Sequence, residues 1–240
     1  MGFDILNKLS KVTKFTRTTA SKWFPQQTQQ SYRSNPDLTT REVHMDLGIF
    51  EVVNVMQDSK ECLTEAIWRD SFDADGRVKN VQQVKRLIHE GKIDKEIRHE
   101  VWKFLLEYHE WDSTEEERKI KEAKCNEIYT LLKQKCESLK TDSLFQEKSH
   151  RIEKDVNRTD RHLSFFEATS KQHEDDVLDD NSNLRLMRDM LIAYSYYDEH
   201  VGYCQGMSDL ISPILWVINE ECCTFWCFVN LMKKMVNILY

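Results

Sequence analysis

Glycine and proline are scarce, at six and three among 240 residues. Sandwiches and barrels need many tight turns, so this poverty disfavours them and favours long helices. The seven cysteines, at 62, 125, 136, 204, 222, 223 and 227, form no C-x-x-C pair, and no secretory signal opens the chain. An odd, scattered set of this kind reads as reduced thiols in a cytosolic protein rather than as a disulfide framework. Cys222, Cys223 and Cys227 stand among Phe225, Trp226 and Phe228, so core packing is expected of them rather than metal binding. Long apolar runs are also lacking. The longest, Leu210 to Ile218, is interrupted by Ser212 and Pro213 and is too short to span a bilayer.

Several chemistries are missing with their motifs. The chain holds no G-x-x-x-x-G-K-[ST], so it is not expected to bind a nucleotide triphosphate itself. It also lacks H-E-x-x-H, G-x-S-x-G and G-x-G-x-x-G, and neither His89-Glu90 nor His99-Glu100 is followed by a second histidine at the zinc-binding spacing. A net charge of −7 argues against nucleic acid as a partner. The acidic run Glu174 to Asp180 lacks the glycine and terminal glutamate of an EF-hand loop and reads as a connection between helices. The triplet Asn157-Arg158-Thr159 matches a glycosylation sequon, but without a signal peptide it is a coincidence.

The composition that remains, 40% hydrophobic and 31% charged, suits one large soluble helical domain with a tail. Residues 1–24 carry a local charge of +4 against −11 for the rest, with Ile5, Leu9, Val12 and Phe15 on one helical stripe. Such a basic amphipathic helix can lie on an anionic membrane or dock on a partner. The alternative is an arm without function. A Gln- and Ser-rich linker follows, then Phe50–Val55 as a short extended segment, with Trp68 and Phe72 anchoring the approach to the main domain.

Helical signals dominate from Asn80. That residue caps a helix with Val81, Val84, Leu87 and Ile88 on its inner face and Gly91 at its end. Asp94 is expected to cap the next, which turns Ile97, Val101, Phe104 and Leu105 inward. Ser113 and Glu116 fit a capping box for a long charged helix reaching about Leu139, with Ile120, Ala123, Ile128 and Leu131 as its sparse apolar stripe. Leu184, Met187, Leu191 and Tyr194 form a further stripe. Two apolar helices then follow Met207, with Pro213 in the first turn of one and Glu220-Glu221 opening the other.

Two polar motifs stand out within this helical frame: Ile152-Glu-Lys-Asp-Val-Asn-Arg-Thr159 and Tyr203-Cys-Gln-Gly-Met207. The first places Arg158 three residues after Asp155, on one face if the segment is helical, so the carboxylate can orient the guanidinium. Taken alone this could be an ordinary surface ion pair. The second sets Gln205 between Gly202 and Gly206. An arginine and a carboxamide are the groups that speed GTP hydrolysis: one neutralises charge on the γ-phosphate, the other orients the attacking water. The plainer alternative for Gln205 is a helix start at which it satisfies backbone groups.

Together with Arg98-His-Glu-Val-Trp102, the motifs resemble, in order, the three signatures of the TBC-domain Rab GTPase-activating proteins, the second and third being I-x-x-D-x-x-R and Y-x-Q-G. The resemblance covers about Asp75 to the C-terminus. It implies an all-α, TBC-type helical domain at 75–240, preceded by the basic arm at 1–24 and a linker and lead-in at 25–74. It also implies a GTPase-activating function on a Rab-family partner, which itself holds the GTP and Mg²⁺, so the chain needs no cofactor of its own. Arg158 and Gln205 would be the arginine and glutamine fingers, with Asp155, Tyr203 and Gly206 supporting them and Arg98 and Trp102 supporting the fold. Arg151 and Arg161 flank the arginine and are either recognition residues or a plain solvated face. Family domains continue well past the glutamine motif, so the chain is expected to be a fragment. A truncated module that only docks on a Rab or a membrane is the alternative function. The stretches 107–118 and 152–161 look closest to a subfamily linked to late endosomes and mitochondria, which implies a cytoplasmic protein peripheral to those membranes.

Overall fold

The computed structural model describes residues 62–167 and 181–239, and side chains as far as 236. The basic arm, the extended segment at 50–55 and the acidic run lie outside the described residues. Eight α-helices occur among those described: α1 (Glu65–Asp70), α2 (Val81–Glu90), α3 (Arg98–Leu105), α4 (Glu115–Ser138), α5 (Ser143–Val156), α6 (Ser182–Tyr197), α7 (Met207–Ile218) and α8 (Glu221–Leu239). A single 3-10 turn, Ser164–Phe166, precedes α6. Among the described residues, extended pairing is limited to isolated bridges at Leu63–Ile93 and Phe72–Val78. The all-α reading holds.

Two apolar clusters organise these helices. The smaller gathers Leu63, Trp68, Val84, Leu87, Ile88, Ile97, Val101 and Phe104 from α1, α2 and α3. Packing of Leu63 and Trp68, both 0% exposed, carries the folded body back to the start of the described residues, ahead of residue 75. The larger cluster is built around α6, which packs on α4, α5, α7 and α8. Its expected stripe is fully inside, with Leu184, Met187, Leu191 and Tyr194 all buried. Trp102 of α3 packs against both clusters. Cys222, Cys223 and Cys227 are buried in the larger one beside Phe225 and Phe228, as small apolar side chains.

Helix ends follow local chemistry, with four departures from the sequence reading. Asn80 does cap α2, its side-chain oxygen accepting from the Gln83 N–H at 3.1 Å, and Gly91 ends that helix. Asp94, however, does not cap α3. It accepts from the Glu65 N–H at 3.3 Å, and α3 begins at Ile97 without a side-chain cap. The capping box of α4 is formed one residue later than expected, by Thr114 and Glu117 at 3.1 and 2.8 Å. Ser113 is turned inward instead, donating to the Glu110 carbonyl at 2.6 Å. The stripe assigned to α4 faces the wrong way: Ile120 and Leu131 are 63% and 59% exposed. Its inner side is Tyr129 and Cys136, with Cys125 and Leu132 half-buried beside them. Last, Pro213 lies inside α7, not in its first turn, because the helix already starts at Met207. No helix among the described residues is long and apolar enough to cross a membrane.

Candidate functional site

The site forms where the end of α5 meets the start of α7. Asp142 opens α5 by accepting from the Leu144 and Phe145 N–H groups at 2.8 and 3.1 Å. Ile152 and Val156 then pin its inner face, both 0% exposed. With that face fixed, Asp155 is turned inward at the last turn and Arg158 falls just past the helix end. Thr159 locks the turn, its buried hydroxyl 2.9 Å from the Asp155 carbonyl oxygen and 2.8 Å from Ser208 Oγ on α7. Asp160 sits next at φ 47°, a left-handed conformation that aspartate tolerates, and accepts from the Ser212 hydroxyl at 2.6 Å. Ser208 and Ser212, one turn apart on α7, therefore dock the arginine turn at two points.

The second motif arrives through a tight loop after α6. Asp198 begins it, accepting from the Val201 N–H at 3.2 Å through its side chain and from the Gly202 N–H at 2.8 Å through its carbonyl. Gly206 adopts φ 94°, where L-residues are strained, and its N–H points back at Asp155 Oδ2 at 2.8 Å. Tyr203 donates its hydroxyl to the same oxygen. Gln205 lies between these two anchors with its side chain exposed. It does not cap α7, whose N-cap is Gly206 with no side-chain bond, so the helix-start alternative for Gln205 fails.

One buried carboxylate thus serves both motifs. Asp155 is 7% exposed in its side chain while Arg158 is 59% exposed. Arg158 Nε donates to Asp155 Oδ1 at 2.9 Å, and Nη2 donates to that same oxygen. Burial would raise the Asp155 carboxyl, but the Gly206 N–H, the Tyr203 hydroxyl and Arg158 outweigh it and hold the group below its ordinary value. Burial, reinforced by the adjacent carboxylate, keeps the Tyr203 phenol protonated far above neutrality. The Asp155 hydrogen bond raises Arg158 further, and Asp209 in the first turn of α7 adds to it. Asp155 thus holds a permanently charged, exposed guanidinium and the loop that carries the exposed Gln205 carboxamide. The arrangement contains no nucleophile activated by a base.

The other expected supports act at one remove. Arg98 is half-buried and donates to the Ile93 carbonyl at 3.2 Å, which fixes the entry to α3. Trp102 fills the junction of the two clusters, and α3 packs on α7 behind the glutamine loop. Residues that spacing alone did not reveal are Thr159, Asp160, Ser208 and Ser212. The available signal was the pair of serines one turn apart in an otherwise apolar helix.

The Rab-GTPase-TBC domain model matches residues 95–240, which takes in every one of these residues. The chain belongs to that family. Among curated proteins, this TBC domain is similar to the GTPase-activating protein gyp7 of Schizosaccharomyces pombe, 38% identical over 205 residues, which covers 81% of this chain and 28% of that protein. TBC1 domain family member 17 of Mus musculus is 37% identical over 176 residues, covering 71% of the chain and 26% of that protein. TBC1 domain family member 16 of Homo sapiens is 33% identical over 206 residues, covering 85% and 24%. The chain spans about a quarter to a third of the length of the curated relatives it matches.

Proposed function

We propose that this TBC domain accelerates GTP hydrolysis on a Rab-family small GTPase, with Arg158 and Gln205 entering the partner's nucleotide site. The observation that carries this reading is the shared seat: an exposed arginine and the loop of an exposed glutamine, both held by the buried carboxylate of Asp155. The γ-phosphoryl group gathers negative charge on its oxygens as it departs, and a guanidinium delivered there lowers the barrier. A carboxamide beside it holds the attacking water in line. Arginine suits the first task because it stays charged and offers several donors in one plane. The bonds of Arg158 and of the Gly206 N–H to Asp155 support this reading, since an arginine and a loop already held leave less to be ordered on binding. The GTP and Mg²⁺ are the partner's. The names of the gyp7 relatives, GTPase-activating proteins, support the same reading.

The test is single-turnover GTP hydrolysis across a panel of purified Rab proteins, with this chain and its Arg158→Ala and Gln205→Ala variants. One Rab accelerated strongly, with stimulation falling on the order of 10³-fold in Arg158→Ala, is the expected result. No acceleration by a folded chain would sink the catalytic reading and leave a docking module. The basic stripe of residues 1–24 adds a second element to the proposal: contact with the anionic cytoplasmic face of an endosomal or mitochondrial membrane. Sedimentation with phosphatidylserine vesicles, lost on deletion of 1–24, checks it.

A further inference from the structure

Among the described residues, many exposed cations are paired with acids. On α4, Lys119 pairs with Glu115, Lys121 with Glu110, Lys133 with Glu221 and Lys135 with Glu199. The outer face of α5 is different. His150, Arg151 and Lys154 recur there at helical spacing, all exposed, and exposed Arg161 continues the strip beyond Arg158. Glu147 closes it at the amino-terminal end. Among the described residues, Arg151, Lys154 and Arg161 make no ion pair, and three nearby acids are engaged elsewhere. Asp155 holds Arg158, Glu153 faces Ser149 and Arg188, and Asp160 accepts from Ser212.

Burial raises the Cys204 thiol, and the Arg151 guanidinium acts against that rise, so its charge is felt in the residue next to Gln205. Along the chain, Arg151 and Lys154 precede Arg158 and Arg161 follows it, all four exposed. In a chain of net charge −7, exposed cations without an ion pair among the described residues run against the overall field. A nucleoside triphosphate on a partner is negative by its own chemistry, and a face that must approach it gains from positive charge around the contact.

From this we propose that Arg151 and Lys154, continued by Arg161, are a recognition surface for an acidic patch on the partner protein beside its nucleotide. The proposal rests on the function given above and adds what guides the encounter. Charges at the rim of an interface act chiefly on association and its salt dependence, while the fingers act on the chemical step. The two roles therefore separate experimentally.

The experiment is hydrolysis by a responsive Rab measured against increasing concentrations of the Arg151→Glu/Lys154→Glu double variant. The half-saturating concentration is expected to rise on the order of tenfold at low ionic strength, and the gap to narrow as salt screens the charges. The maximal stimulated rate stays unchanged. Reversing Lys124→Glu, an exposed cation on α4, moves neither quantity. Binding to the same Rab loaded with a non-hydrolysable GTP analogue should weaken in parallel, without any catalytic readout. A half-saturating concentration that does not move, or a gap indifferent to salt, overturns the recognition surface. Stimulation retained in Arg158→Ala overturns the finger reading instead, and the analogue-binding arm keeps the two failures apart.

Discussion

Two arginines on this domain sit at the surface above a carboxylate more buried than themselves, and they are held in different ways. Arg69 is clamped by Glu100 in fork geometry, Nη1 to Oε2 and Nη2 to Oε1, each at 2.7 Å, with the Trp68 indole donating to Oε2 at 3.0 Å. Both carboxylate oxygens face the guanidinium. Arg158 instead directs Nε and Nη2 at a single oxygen of Asp155 and leaves the other to Tyr203 and Gly206. The first pair is saturated and ties α1 to α3. The second keeps donors of the guanidinium turned outward while its carboxylate remains anchored from behind. An arginine can be oriented without being consumed by its partner, and one-sided contact is how that is done here.

Substitution of the two carboxylates separates these designs. Asp155→Asn is expected to have the larger effect. It removes the charge that three separate donors address, with a loss of roughly 2–3 kcal/mol in denaturant unfolding, since hydrogen bonds to a charged group are worth about 1.5–3 kcal/mol. If Arg158 and Gln205 act as proposed, it should also depress the stimulated hydrolysis rate in the folded protein, because Arg158 and the Gln205 loop lose their shared carboxylate. Glu100→Gln is expected to cost about 1 kcal/mol, as Arg69 is half exposed and well screened, and to leave stimulation per folded molecule unchanged. Equal effects on hydrolysis from the two variants would erase the distinction.

Acid sharpens the comparison further, with a smaller effect near neutrality. Burial, then the opposing cations Lys103, Arg118 and Lys121, lowers His109 from 6.5 to about 3, although its Nε2 lies 2.9 Å from Glu122. The folded ring stays neutral and donates to that carboxylate, while the unfolded chain binds a proton below 6.5. Its contribution is thus complete above 6.5 and drains away as the pH falls towards about 3. Asp155 and Glu100 are both held below their ordinary values, so their contributions persist to lower pH and fade only through the acid carboxylate range. Unfolding free energy measured against pH should therefore begin to fall below 6.5, and His109→Gln should flatten that first limb.

Much of this was legible in the residues. The α2 boundaries follow from Asn80 and Gly91, and the α6 stripe from strict apolar periodicity around a helix buried on several sides. The α4 face was not, because the helix touches the core along a narrow line of Cys125, Tyr129, Leu132 and Cys136. Polar groups lie along that line: the Tyr129 hydroxyl donates to Glu221 at 2.8 Å, and the backbone carbonyl of Cys125 accepts from the Trp226 indole at 3.1 Å. Isoleucine and leucine outweigh them in a hydrophobicity pattern, yet Ile120 and Leu131 face water. At the site, the spacing of Asp155 and Arg158 foretold their pairing. The return of the Gly206 N–H to Asp155 spans 51 residues and depends on a left-handed backbone, which no local pattern encodes.

Trp102 carries a consequence for the domain as a whole. One ring packs against the α1–α3 cluster and against the cluster around α6, so neither can loosen without withdrawing a wall from the other. Trimming that one ring would therefore open both clusters at once, at the helix that packs on α7, whose start follows the glutamine loop.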